Sequence, residues 1–277
     1  MSTARGFIDA TIDRLIGCSP DLPPETCNFE KSELTIPRPN DGPTPAADLH
    51  QPIDREPSGT VLVRSPYGRG IMMTMGSAHI FASRSYQVLF VSSRGTFGST
   101  GRFDRGFFEA EAGQGVINWI RQQSWYTGSF ITLALNPGKS LRSIIDALPL
   151  TQGVDSHISG ARSAPWLTHA IRHPDRKDPS WSPLQHGQAL DGVITPLLLI
   201  NGWQDIFLEQ TIEQYEKLTA RGYHARLIIG PWTHLQPQNK TITRPMLEWL
   251  HRNLARRTDI QTGPAVQVYI MGMQSAQ

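Results

Sequence analysis

Short apolar strands alternate with amphipathic helices along this 277-residue chain, and no other feature constrains its fold as strongly. Five segments have the pattern of strands buried on both faces: 60–64 (TVLVR), 86–91 (YQVLFV), 130–135 (FITLAL), 196–200 (PLLLI) and 225–229 (ARLII). Strands of this kind are typical of parallel sheets that are covered on both sides. The sequence therefore predicts an α/β fold built on a mostly parallel sheet.

Helical periodicity fills the intervals between several of these strands. Apolar residues recur at helical spacing over 109–121, 208–221 and 243–255, and a last short strand is predicted at 266–271. Strands that alternate with amphipathic helices place the helices on both faces of the sheet, which predicts three layers.

Composition and charge exclude several classes of protein. Apolar residues make up 39% of the chain and charged residues 18%, which is typical of a globular protein and excludes wholesale disorder. The net charge is +2 with no basic block, so we expect neither a nucleic acid nor a membrane as a partner. Acidic residues interrupt the first 17 residues and no apolar run reaches about 18 residues, so neither a signal peptide nor a spanning helix is expected. This predicts a cytoplasmic location.

The two cysteines offer no chemistry of their own. Cys18 and Cys27 lack His or Cys partners at metal-ligand spacing, and two residues do not make a disulfide scaffold. We therefore expect neither a metal nor a cofactor.

Three reactive side chains follow predicted strands directly. Tyr67 follows the strand at 60–64, Asp205 the strand at 196–200, and His234 the strand at 225–229. A carboxylate and an imidazole at the ends of consecutive strands match the order Asp then His in α/β-hydrolases. The alternatives are that Asp205 caps the helix at 208, that His234 is a loop histidine, and that Tyr67 is a packed ring with a satisfied hydroxyl.

Five motifs in register make a family resemblance specific. They are RSPYGRG at 64–70, SSRGTFGSTGRF at 92–103, INWIRQQSWYTGSF at 117–130, NGWQDIF at 201–207 and GPWTH at 230–234. Together they resemble the cocaine-esterase-like and X-prolyl dipeptidyl-peptidase group of α/β-hydrolases. The resemblance implies a three-layer sandwich and a Ser-His-Asp hydrolase that cleaves a small-molecule ester or amide through an acyl-enzyme. It assigns Asp205 as the triad acid, His234 as the base and Tyr67 as a donor to the oxyanion.

The sequence departs from this family at the nucleophile. Related chains continue from the W-Y-T-G-S-F segment into Gly-x-Ser-Tyr-x-Gly, whereas residues 133–138 read LALNPG here, and no Gly-x-Ser-x-Gly occurs anywhere. Ser140 has a glycine on one side only, at Gly138, and Arg142 would obstruct the tight turn that the motif needs. Ser129 lies at the entrance of the strand, at the wrong end of the sheet. We therefore expect no nucleophile, with Ser140 an improbable substitute.

The resemblance further implies a chain that lacks the nucleophile helix, the next strand and much of a helical cap. On this interpretation residues 1–135 and 191–260 are the two halves of an incomplete hydrolase core. Residues 136–190 are a remnant of the cap, and residues 261–277 begin a truncated C-terminal β domain. The expected function is a serine hydrolase that is impaired or inactive. The alternatives are a non-catalytic binding remnant and the product of a decayed gene.

A missing strand would leave two apolar edges unpaired, and such edges are templates for aggregation. We therefore expect the strand at 196–200 to move over by one strand spacing, about 4.8 Å, and pair with 130–135. Unmade buried backbone hydrogen bonds, at roughly 1–3 kcal/mol each, favour this closure.

Overall fold

A computed structural model describes residues 22–38, 42–70, 78–103, 108–134, 165–175, 177–184, 187–233, 240–270 and 272. This part of the chain forms strands β1 Phe29–Thr35, β2 Ala46–Pro52, β3 Thr60–Ser65, β4 Gln87–Ser92, β5 Phe130–Ala134, β6 Leu197–Gln204, β7 Ala225–Thr233 and β8 Val266–Val268. Its α-helices are α1 Ile80–Ala82, α2 Glu109–Ile120, α3 Pro165–Arg172, α4 Leu208–Ala220 and α5 Lys240–Asn253. Two 3₁₀ helices, Pro179–Leu184 and Gly187–Gly192, precede β6.

All five strands predicted from continuous apolar runs are present, as β3 to β7. Every residue of β4 is buried, which is why its sequence shows no alternation between apolar and polar positions. The three predicted helices correspond to α2, α4 and α5, and α5 begins at Lys240, three residues before the predicted start. No helix in the described ranges combines the length and the apolar character needed to cross a membrane.

The strands form two sheets. The first has the order β1-β2-β4-β3-β5, in which β3 is parallel to both β4 and β5, while β1 and β2 pair in antiparallel fashion. The second has the order β6-β7-β8, and both of its pairings are parallel. The predicted α/β class with a mostly parallel sheet is confirmed.

Two core clusters cover opposite faces of the first sheet. Along β3, Val61 and Val63 belong to one cluster, together with α1 and side chains of α5. Leu62 belongs to the other, where it packs with Val116 and Ile120 of α2. Because neighbouring residues of a strand point to opposite faces, helices lie on both sides of this sheet, as a three-layer arrangement requires.

The predicted closure of the two half-sheets is wrong. In the described part of the chain, β5 is the edge of the first sheet, β6 is the edge of the second, and no ladder joins them.

Helix α5 supplies the physical reason, because it packs on both sheets at once. Leu247 and Leu250 are buried in the cluster that contains Val61, while Ile242 is buried with Ile228 of β7. Moving β6 and β7 together by one strand spacing would pull these side chains out of their sites. Each buried leucine is worth about 2 kcal/mol, so the loss offsets the hydrogen bonds that closure would form.

Candidate active site

Tyr67 lies in the turn that ends β3. Its backbone N–H donates to Oγ of Ser65 at 3.1 Å, and its half-buried ring packs against the core cluster of Val61. Gly68 has a φ of +94°, and a Cβ at this position would lie 2.7 Å from the ring of Phe97, so the turn needs glycine after the tyrosine. The turn brings Tyr67 to the carboxyl end of the sheet, where the assigned oxyanion role requires it. The packed ring is also what the structural alternative predicts.

Arg69 anchors this turn, a role that the sequence reasoning missed. Its guanidinium donates to Oδ1 of Asp48 at 3.0 Å, to Oγ of Ser92 at 2.7 Å and to the carbonyl oxygen of Phe97 at 2.8 Å. Asp48 is 2% exposed, so this ion pair lies almost out of solvent. The bonds join the segment after β3 to β2 and β4. The position of Arg69 in the RSPYGRG motif was the feature of the sequence that could have indicated this role.

Asp205 follows β6 and opens the turn into α4. Its Oδ1 accepts a hydrogen bond from the N–H of Phe207 at 2.8 Å, and its carbonyl oxygen accepts one from the N–H of Leu208 at 3.2 Å. This arrangement is an Asx turn, which fixes the carboxylate at the entrance of the helix. These hydrogen bonds support the structural alternative, in which Asp205 caps the helix. The same turn holds the half-buried carboxylate at the carboxyl end of β6, where a triad acid would be needed.

His234 and Ser140 lie outside the described residues, so the Asp205–His234 pair and the status of Ser140 stay predictions. The structure does describe β6 and β7, the two strands that lead to Asp205 and His234. The last ladder pair of β6 and β7 joins Gln204 to Thr233, which are the residues that precede Asp205 and His234 in the sequence.

Trp232 explains the glycines in the NGWQD and GPWTH motifs. A Cβ on Gly202 would overlap the carbonyl oxygen of Trp232, and a Cβ on Gly230 would overlap its indole ring. Trp232 is 7% exposed and packs with Ile228, so its ring forms part of the core beneath the strand ends. The ladder between β6 and β7 shifts register next to Gly202. A side chain at Gly202 would push β6 away from β7 where Asp205 begins its turn, and one at Gly230 would displace the Trp232 ring from the core.

No group of three or more His, Cys, Asp or Glu side chains within the described ranges is arranged to hold a metal ion. The predicted site residues that the structure describes are Tyr67, which carries a phenol, and Asp205, which carries a carboxylate.

Comparison with known proteins identifies relatives of this arrangement. The family described as X-Pro dipeptidyl-peptidase (S15 family) matches residues 41–154 and 140–236. The cocaine esterase of Rhodococcus sp. (strain MB1 Bresler) is 22% identical over 336 residues, which cover 87% of this chain and 58% of the esterase.

Solved structures show the same fold at low identity. A CocE/NonD family hydrolase from Staphylococcus aureus superposes with a TM-score of 0.69 at 16% identity, covering 90% of this chain and 55% of the other. An aminopeptidase from a marine sediment archaeon, Thaumarchaeota archaeon, gives a TM-score of 0.68 at 13% identity, covering 93% and 60%. This chain thus spans less than two thirds of the length of each of these relatives.

The alignment with the esterase contains many gapped positions. It extends over 336 residues, whereas 87% of 277 residues is about 241, so roughly 95 aligned positions have no counterpart in this chain. The two stretches that match the family also overlap, at residues 140–154. This overlap falls after β5, in the region where a nucleophile would follow the strand.

Proposed function

Because this chain belongs to the X-Pro dipeptidyl-peptidase (S15) family, we propose that it is an impaired serine hydrolase, which accepts an ester or amide at the carboxyl ends of its strands and turns it over slowly or not at all. The family is one of ester- and amide-cleaving serine hydrolases. The substrate of this chain is a small molecule that carries an acyl group.

Tyr67 would donate its phenolic hydrogen to the oxyanion of the substrate. A pre-aimed donor of this kind contributes about 3–4 kcal/mol to the stability of the transition state. The hydrogen bonds of Arg69 to Asp48, Ser92 and Phe97 support this role, because they hold the turn on which the phenol is carried.

Asp205 would fix the tautomer of His234 and stabilise its charged form, while the imidazole moves the proton. The ladder pair Gln204 and Thr233 supports this assignment, since the two side chains follow neighbouring positions on parallel strands.

The observation that carries the proposed impairment is the sequence after β5, which contains no Gly-x-Ser-x-Gly motif. In this family fold the nucleophile follows the strand that corresponds to β5, and β5 ends here at Ala134 with LNPGK as the next five residues. Without the serine, the base has no hydroxyl to deprotonate, and only the oxyanion donor and binding contribute to the rate.

A fluorophosphonate probe tests this proposal, because it labels only an activated serine. We expect the full chain to be labelled no more than its His234→Ala variant, with an active serine hydrolase as the positive control. Labelling that His234→Ala abolishes would overturn the impairment, and its further loss in Ser140→Ala would identify Ser140 as the nucleophile.

A further inference from the structure

Two histidines lie one helical turn apart at the end of α3. The N–H of His173 donates to the carbonyl oxygen of His169 at 3.0 Å, so helical hydrogen bonding continues past Arg172 and places both side chains on one face. Their ring centroids are 4.3 Å apart, with an angle of 30° between the ring planes. Neither residue belongs to the candidate active site, so a ligand bound here would be independent of the proposed function.

The segment that follows α3 orients both rings. Oδ2 of Asp178 lies 2.8 Å from Nδ1 of His173. Oγ of Ser180 lies 3.1 Å from Nε2 of His169. The indole N–H of Trp181 donates to the carbonyl oxygen of His173 at 2.9 Å, and its ring packs edge-on against the ring of His169. The two imidazoles are thus held side by side.

Asp178 decides which nitrogen of His173 carries the hydrogen. The backbone N–H of Ser180 donates to Oδ1 of Asp178 at 2.8 Å, and this bond, followed by side-chain hydrogen bonds to Ser180 and His173, lowers the pKa of the carboxyl group. An ionised carboxylate only accepts hydrogen bonds, so Nδ1 of His173 is the donor and Nε2 keeps its lone pair. A carboxylate behind the N–H of an imidazole is the arrangement that orients histidine ligands of metal ions.

The pair can be reached from solvent. The side chain of His173 is 38% exposed, and His169 is half-buried. Two imidazoles on one metal ion, with bonds of about 2.1 Å each, have ring centres roughly 5 Å apart. The observed separation of 4.3 Å is close to this value, so rotation of the side chains is enough to bring one nitrogen of each ring onto a shared ion.

We propose that His169 and His173 chelate a divalent transition-metal ion. Neutral imidazole suits Cu²⁺, Ni²⁺ and Zn²⁺, whereas Ca²⁺ and Mg²⁺ prefer oxygen ligands. Two histidines four residues apart on a helix also bind zinc in the H-E-x-x-H motif, although the glutamate of that motif is absent here. A structural zinc site takes four ligands, so we expect this pair to bind its ion reversibly. The earlier expectation of no metal rested on the two cysteines and did not include this pair.

Calorimetric titration of the full chain with Ni²⁺ at neutral pH tests the site. We expect saturable binding that His173→Ala weakens at least about tenfold, because the chelate becomes a single-ligand complex. His224→Ala is the matched control, since His224 is an exposed histidine elsewhere on the chain, and it should bind Ni²⁺ as the unmodified chain does. The proposal is overturned if Ni²⁺ does not bind, if His173→Ala binds equally well, or if an excess of Mg²⁺ displaces Ni²⁺.

Modification of histidine by diethyl pyrocarbonate tests the same pair without a variant, in case His173→Ala does not fold. Ni²⁺ should slow the modification of His169 and His173 severalfold, as measured by peptide mass spectrometry, and leave His224 unaffected. Equal rates at His169 and His173 with and without Ni²⁺ would contradict the proposal.

Discussion

The hydroxyl oxygen of Tyr86 lies 2.7 Å from Nδ1 of His251, and this hydrogen bond joins the start of β4 to helix α5. Burial raises the pKa of Tyr86 and lowers the pKa of His251, so the bond links a protonated phenol to a neutral imidazole. Tyr86 is fully buried in the core cluster that also contains Leu250 of α5. The bond therefore adds to the packing that keeps the C-terminal half of the chain against the first sheet.

Tyr86→Phe should lower the free energy of unfolding by about 1–2 kcal/mol, because it leaves a half-buried imidazole nitrogen without its partner. Urea titration followed by circular dichroism measures the change. Tyr126→Phe is the matched control, since no hydrogen bond of the Tyr126 hydroxyl is present in the described part of the chain, and it should leave stability nearly unchanged. Equal stability of Tyr86→Phe and the unmodified chain would show that the bond contributes nothing.

Because His50 is buried, we predict that the free energy of unfolding decreases in acid. Its side chain is 1% exposed, neither ring nitrogen has a hydrogen-bond partner among the described residues, and burial, followed by the charge of His79, lowers its pKa to about 4. Above pH 6.5 the imidazole is neutral in both states. As the pH falls toward 4, the unfolded chain binds a proton that the folded chain does not, so stability decreases by up to about 3 kcal/mol.

The measurement is urea unfolding at several pH values from about 7.5 down to about 4, a range that covers the interval between the unfolded and folded pKa values of His50. His50→Gln should remove most of the slope that this residue causes. His224→Gln is the control, because the ring of His224 lies against the ring of Trp249. This variant should keep the pH dependence of the unmodified chain. A slope that is the same in His50→Gln and the unmodified chain would exclude His50 as its source.

Gly202→Ala should destabilise the fold by about 1–3 kcal/mol, because the new Cβ overlaps the carbonyl oxygen of Trp232 and forces β6 and β7 apart. Thermal unfolding is the appropriate measurement. Gly187→Ala is the control, since a Cβ at Gly187 meets no atom within 4 Å, and its transition should stay near that of the unmodified chain. A transition for Gly202→Ala that matches the control would mean that the strands adjust without cost.

The sequence was sufficient to predict β3 to β7, because each contains a continuous run of apolar residues, although only β3, β4 and β7 are mostly buried. The edge strand β1 was not bounded in advance, and its sequence FEKSELT shows why: most of its residues are exposed, so hydrophobicity marks it weakly. The failed prediction of closure has a different origin. It counted hydrogen bonds along β5 and β6 but not the packing of α5 on both sheets, which depends on contacts such as Leu250 with Val61 that are remote in sequence.

The candidate site, too, was predicted from the sequence only in part. Strand order placed Tyr67 and Asp205 at carboxyl ends, and the family resemblance assigned their roles. Arg69 was missed because its acceptors come from β2, β4 and the loop after β4, which the chain brings together only on folding.

Hydrolysis of a simple p-nitrophenyl ester tests the central claim most directly, with the unmodified chain and its His234→Ala variant compared at equal concentration. We predict equal rates, because a base without a nucleophilic serine provides no acyl-enzyme route. A clear rate advantage of the unmodified chain over His234→Ala would contradict the account.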